Sequence, residues 1–325
     1  MADNLNKNFL KILLYLKEKM AALIVVIVII VFMSISSPHF LTLANFINIL
    51  KQSSIIGIIA AGMTLVILLG GIDLSVGSIL SFSSFITAEL IIIYNCNIII
   101  TIIIGLLVGA LLGYINGFII TKFSLRPFIV TLAMMGIIRG FTYICFEGES
   151  FYSFPEEFKK LADGFIGIVP IPIIIMVLIY SILYILLNRT NLGRIIYAIG
   201  DNEKAALFIG IQTKKYKLLA YLITGILSAL AGLILAARVN VVVPTVGEGL
   251  ELDVIAAVVI GGTSLGGGRG NVFGSFLGAL MMGIVKNSLN LLLVSSHWQR
   301  VILGITIITA VSIDIIGKNK ENRFL

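Results

Sequence analysis

Residues 98–121 read IIITIIIGLLVGALLGYINGFIIT, a run without a carboxylate, lysine, arginine or histidine. About 20 such residues are enough for a helix to cross a hydrocarbon layer of about 30 Å. A helix satisfies every backbone N–H and C=O within itself, so lipid can solvate the side chains without leaving polar groups unpaired. Working outward, comparable runs fall at about 20–36, 55–72, 74–94, 127–146, 165–187, 218–238, 251–266, 270–294 and 299–317, making ten. The expected fold is all-α and integral to the membrane. It is a single transmembrane domain over residues 1–325, with about ten spanning helices, some of them broken or re-entrant.

Composition agrees, since 59% of the residues are apolar and 12% charged, against about 25% charged in soluble domains. The formal charge of +7 sits in short loops, not along one helix face, which argues against nucleic acid as a partner. Cys96 and Cys145 have no metal-ligand neighbours, and His39 and His297 are solitary, so no metal site is expected. Both cysteines fall near expected external span ends; free thiols are the favoured reading, a disulfide the alternative. The first apolar run, Met20 to Met33, is followed by Ser-Ile-Ser-Ser-Pro without a small-x-small cleavage pattern, and reads as a retained first span.

Cytoplasmic loops retain Lys and Arg, and this sets the expected orientation. Lys7, Lys11, Lys17 and Lys19 precede the first span; Lys122 and Arg126 lie in one loop; Arg189, Arg194, Lys204, Lys214, Lys215 and Lys217 lie in the loop 188–217; Lys318, Lys320 and Arg323 end the chain. Ten spans place all of them on one side, with both termini cytoplasmic. Glu147, Glu149, Glu156, Glu157 and Asp163 then fall on the external face.

Two apolar runs are interrupted. Gly70-Gly71-Ile72-Asp73-Leu74-Ser75-Val76-Gly77 and Gly261-Gly262-Thr263-Ser264-Leu265-Gly266-Gly267-Gly268 share the spacing Gly-Gly-x-x-Leu-x-x-Gly, one in each half of the chain. Paired glycine-broken segments point to an internal repeat with a solute route at its interface. For the glycines alone, close helix packing is the competing and stronger reading. Asp73 tips the balance, because a carboxylate within an apolar run must face protein or water. Followed by Ser75 and Ser78, it is expected to cap the next helix, a role compatible with lining a path. Asn116, Thr131, Thr263, Ser264, Asn287 and Asn290 are candidate hydrogen-bonding groups for an uncharged solute. Arg139 and Lys286 can snorkel or pair, with snorkelling favoured.

In the loop 188–217, Asp201 or Asn202 can cap a short helix through Phe208, which Gly210 can stop. With Ala205, Ala206 and Ile209 near one face, that helix is shaped either to dock on another protein or to lie on the membrane surface.

Three blocks in order carry a resemblance: Gly70 to Ser78; Ala198-Ile199-Gly200-Asp201-Asn202-Glu203 with Ala205, Ala206, Gly210 and Ile211; and Glu251-Leu252-Asp253-Val254-Ile255-Ala256-Ala257-Val258-Val259-Ile260 running into Gly261 to Gly268. Over nearly the whole chain the sequence resembles the permeases of ribose-type ABC importers, which also serve xylose, galactose and related solutes. Ile199-Gly200-Asp201 stands where Leu-Gly-Gly is common in that family. The resemblance implies that Gly200 to Ile211 form a coupling helix moved by an ATP-binding subunit. It further implies a second permease copy, an external solute-binding protein and a place in the bacterial inner membrane.

No Gly-x-x-x-x-Gly-Lys-Ser/Thr loop occurs, so ATP and Mg²⁺ are expected on the partner and no cofactor on this chain. The sequence leaves two alternatives: an ion-coupled secondary transporter with Asp73 as coupling carboxylate, and an ABC permease for a non-sugar solute. A membrane enzyme is disfavoured, since no catalytic constellation shares a common depth.

Overall fold

The computed structural model describes residues 27–147 and 149–323. Lys7, Lys11, Lys17, Lys19 and the start of the first apolar run lie outside the described residues. Helices α1 (Ile27–Ser36), α2 (Leu43–Leu68), α3 (Val76–Ile92), α4 (Ile98–Phe123) and α5 (Pro127–Phe146) form the first half. Then come β1 (Phe151–Tyr152), α6 (Glu156–Asp163), the hairpin β2 (Phe165–Ile166) and β3 (Val169–Pro170), and α7 (Ile171–Arg189). The second half holds α8 (Asn191–Asp201), α9 (Glu203–Phe208), α10 (Thr213–Val239), β4 (Val241–Val242), α11 (Leu250–Ile260), α12 (Val272–Leu291) and α13 (Ser296–Arg323).

Six of these, α2, α4, α5, α7, α10 and α12, are long and apolar enough to cross a membrane. Each of the ten apolar runs overlaps a helix, but several boundaries move; the run 165–187, for one, opens as the β2–β3 hairpin and is helical only from Ile171. The helix expected from about residue 55 starts at Leu43, because its polar first turns are satisfied by protein. Asn45 exchanges hydrogen bonds with Asn287 at 3.1 and 2.8 Å, Lys51 pairs with Asp163 at 2.7 Å, and the Ser54 hydroxyl donates to the Lys51 carbonyl at 2.8 Å. Hydropathy cannot see a polar group that is paired inside the bundle. The run 251–266 is helical only to Ile260, so α11 has 11 residues and reaches about 16 Å, roughly half the hydrocarbon thickness.

Side-chain spacing explains the lateral order. On α4, Gly105, Gly109, Gly113 and Gly117 recur every fourth residue and face α10, while Ile99, Ile103, Leu107 and Leu111 recur on the exposed side. A Cβ at Gly109 would come within 2.5 Å of the Gly225 carbonyl oxygen, and one at Gly113 would overlap that of Tyr221. Small residues let these two backbones touch, which is how helices associate where lipid competes with every apolar side chain. Helix α2 runs through the centre, its positions from Ser53 to Leu68 all buried.

The connector after α5 folds back into the bundle. Phe151 contacts the ring of Phe85 at 5.5 Å, halfway along α3, and β1 pairs antiparallel with β4 through Phe151 and Val242. Phe158 and Ala162 bury one face of the amphipathic α6. Past α10 the chain does not continue as helix. Asn240 turns with φ 56°, residues 241–249 run through a strand and turns, and Gly249 at φ +81° admits the start of α11.

Candidate functional site

The two glycine-broken segments meet. The Gly268 N–H donates to the Leu68 carbonyl at 2.9 Å, and a Cβ at Gly267 would lie 3.0 Å from the Gly70 nitrogen. Gly70 and Gly267 have φ of +75° and +81°, a region that L side chains rarely enter. Helix α8 closes this junction from the loop 188–217. A Cβ at Gly200 would overlap the Leu68 carbonyl oxygen and stand 2.5 Å from the Gly268 nitrogen. Beside it, the Tyr197 hydroxyl donates to the Gly270 carbonyl at 2.9 Å, and burial raises the phenol pKa, keeping the proton in place. Elsewhere in the second segment, Gly261 lies against the backbone of Gly274, and Gly262 turns at φ +87°; Gly266 donates its N–H to the Ser264 hydroxyl at 3.3 Å.

The polar candidates separate into four places, one of them the Asn287 pair with Asn45 at the start of α2. Asp73, Ser75, Ser78, Asn116 and Thr131 gather at the first break, all buried. The Asp73 Oδ1 accepts from the Ser75 N–H at 2.9 Å and from its hydroxyl at 2.6 Å, while Asn116 donates to the Ser75 Oγ at 2.7 Å. Thr131 donates to the Ile72 carbonyl at 3.1 Å. Asp73 thus organises the entry to α3, although Ser75 occupies the N-cap position itself. Tyr221 presses its hydroxyl against Gly71. Thr263 and Ser264 sit at the second break, where Thr263, Ser275 and Thr64 form a hydroxyl chain linking α12 to α2. Asn290 lies apart near the end of α12, exposed, accepting from Gln299 at 2.9 Å.

Snorkelling does not describe the two cations within the apolar runs. Lys286 on α12 pairs with the buried Asp253 on α11. Arg139 donates to the carbonyls of Pro244 at 3.0 Å and Val246 at 2.8 Å, pinning the non-helical segment before α11. Acceptors fixed by the fold hold both half-buried head groups where they stand, so neither needs to reach for the interface. Tyr143 and Glu248, bonded at 3.0 Å, and Glu251, beside Gly77, complete a group that the sequence reading missed. Its signal was Glu248-x-x-Glu251 in a loop without cations.

In the loop, Asn202 caps α9 by accepting from the Ala205 N–H at 3.0 Å, and Gly210 ends it with φ +84°. Lys217 pairs with Glu203 at 2.6 Å, tying α9 to α10. Asp201 closes α8 and is exposed; Ile211 is half-buried. The exposed face differs from expectation. Ala206 is buried, because it points at the bundle, while Leu207, Phe208 (91% exposed) and Ile209 (75%) project outward. Cys96 and Cys145 are free, and among the described residues no three His, Cys, Asp or Glu side chains group as metal ligands.

Interrupted helices with buried polar junctions, tied to a non-spanning loop helix with a projecting apolar face, define a multi-pass membrane permease. The chain belongs to the family described as "Branched-chain amino acid transport system / permease component", which it matches over residues 45–311, and is a transporter subunit of that class, not an enzyme. It is 46% identical over 91% of its length to the Ribose import permease protein RbsC of Bacillus subtilis (strain 168), covering 92% of that protein. Against the protein of the same name from Escherichia coli (strain K12) the identity is 42%, over 90% of this chain and 92% of the other. The D-allose transport system permease protein AlsC of Escherichia coli (strain K12) is 38% identical, over 90% and 89%. No solved structure matches the chain.

Proposed function

We propose that this chain conducts a neutral monosaccharide, ribose in the first instance, through the bacterial inner membrane as the permease of an ATP-driven importer. The observation that carries the reading is the 46% identity to a ribose import permease, sustained over 91% of the chain. The chain crosses the membrane with about ten segments and keeps both termini in the cytoplasm. Two copies form the path, an external binding protein delivers sugar, and a cytoplasmic subunit binds ATP and Mg²⁺.

Within the loop 188–217, α8 and α9 carry the coupling. Phe208 and Ile209 engage the ATP-binding subunit, and Gly200 passes its displacement to the backbone of both broken segments at Leu68 and Gly268. The direct contact of α8 with both breaks supports this route. A packed junction of this kind shifts between discrete arrangements instead of deforming smoothly.

The test is uptake of labelled ribose, xylose and galactose into proteoliposomes, with the ATP-binding subunit and binding protein supplied or withheld in turn. Uptake that requires all three components and ATP supports the importer and ranks the sugars. Uptake by this chain alone under a proton or sodium gradient overturns it in favour of ion coupling at Asp73.

A further inference from the structure

We infer that Glu248, Glu251, Tyr143 and Arg139 form a hydroxyl-reading station on the translocation path, built for a neutral polyol and closed to anionic solutes. This rests on the importer reading above and adds to it the place and chemistry of solute contact.

Depth is the first observation. A Cβ on Gly77 would lie 2.6 Å from the Glu251 carboxylate oxygen, and Gly77 is the second residue of α3. From Gly77 the helix runs on to Ile92, about 22 Å along its axis toward the opposite end at 1.5 Å per residue. Glu251 therefore sits well within the membrane layer, at the tip of a segment that enters as strand and turns and leaves as the half-helix α11. Non-helical backbone at such depth is tolerated where it is buried in protein or lines water.

Exposure is the second. Glu248 and Thr245 are exposed, Glu251 is half-buried, and Tyr143 is 42% exposed. A carboxylate facing hydrocarbon at this depth would be strongly disfavoured, so this side of the protomer meets a water-filled route. Apolar side chains cover the lipid-facing stripe of α4, in contrast.

The chemistry then follows from the groups present. Arg139 is committed to the Pro244 and Val246 carbonyls, so it shapes the loop and offsets one carboxylate charge. Two carboxylates against one guanidinium leave the cluster formally negative. The positive N-terminal end of α11 carries Glu251 and Asp253 in its first turn, so it already faces carboxylates and does not await an anionic solute. Lys286 is held by Asp253. What remains is acceptor-rich: the Glu248 and Glu251 oxygens can take the hydroxyl protons of a sugar, with the Tyr143 hydroxyl as an adaptable partner. A phosphorylated or acid sugar meets like charge.

The experiment uses the reconstituted importer with its ATP-binding subunit and binding protein, measuring ribose uptake and ATP hydrolysis in the same vesicles. Glu248→Gln and Glu251→Gln are each expected to slow uptake roughly tenfold, the scale of a lost charge-assisted hydrogen bond in a passing complex. ATP hydrolysis stimulated by the loaded binding protein is expected to persist, and Glu248→Asp to recover most uptake. Ser181→Ala, which removes an exposed hydroxyl bonded within its own helix, serves as the control with unchanged uptake. Wild-type uptake by the double Gln variant, or loss of uptake together with stimulated hydrolysis, overturns the station and leaves the importer standing. Absence of sugar uptake by the wild-type three-component system overturns both.

Discussion

Gly200 lies against the carbonyl of Leu68 so closely that a methyl group at position 200 would occupy the space of the Leu68 oxygen. The neighbour is backbone, and it is held by the Gly268 N–H, so no side-chain rotation can make room. Gly200→Ala is expected to destabilise the protein by about 1–3 kcal/mol through overpacking. It should also reduce ATP-driven uptake more than ATP hydrolysis, since the contact joins α8 to both broken segments. Thermal unfolding in detergent and the ratio of solute moved to ATP hydrolysed check both parts.

Phe208 and Ile209 are large apolar groups presented to solvent beyond the bundle. Truncating them removes nothing that holds the fold, and stability should stay within about 0.5 kcal/mol. Binding of the ATP-binding subunit should weaken at least about tenfold for Phe208→Ala, as expected when a buried aromatic anchor is removed from an interface. Co-purification and titration calorimetry with that subunit read the effect.

Asn202 accepts from the Ala205 N–H at the start of a six-residue helix. So short a helix depends on its cap and its tertiary ties, because nucleation is costly. Asn202→Ala is expected to cost about 1 kcal/mol, confined to α9. Hydrogen exchange should accelerate across Glu203–Phe208 and leave α10 unchanged.

Lys286 and Asp253 join α12 to α11, with the Asp253 side chain 4% and the Lys286 side chain 28% exposed. Lys286→Met would leave a buried carboxylate alone. The loss should approach the lower end of the ~3–5 kcal/mol seen for broken buried pairs, because the lysine retains some solvent access. Adding Asp253→Leu should restore most of it, and a double-mutant cycle of unfolding midpoints measures the coupling.

The positions of the helices were legible because lipid-facing segments must be uniformly apolar, as in residues 98–121. The cap at Asn202 and the stop at Gly210 were legible because local backbone chemistry decides them. The early start of α2 was not, since Asn45 finds its partner at Asn287, 242 residues away. Nor was the inward turn of Ala206, which depends on how α9 is laid across the bundle. Arg139 and Lys286 read as snorkelling cations because sequence shows a charge in an apolar run and not the acceptors that folding brings to it. That the two glycine motifs share a pattern was visible, whereas their contact at Leu68 and Gly268, with α8 wedged against both, belongs to tertiary structure.

Asp73 supplies the sharpest separation between a structural and an ion-coupling carboxylate. Its Oδ1 organises the start of α3 by accepting both the Ser75 N–H and hydroxyl, a task that an amide oxygen performs equally well. Asp73→Asn should therefore preserve folding and ATP-driven uptake, and it removes the cost of burying a charge without a cationic partner among the described residues. Asp73→Ala discards the acceptor, leaves the Ser75 N–H unsatisfied, and should cost about 1–2 kcal/mol with a corresponding fall in uptake. Because only a carboxylate can carry a proton or bind sodium through its charge, full uptake by Asp73→Asn assigns the residue to the break in the helix. Loss of uptake in Asp73→Asn with an unchanged unfolding midpoint would instead assign it to ion movement.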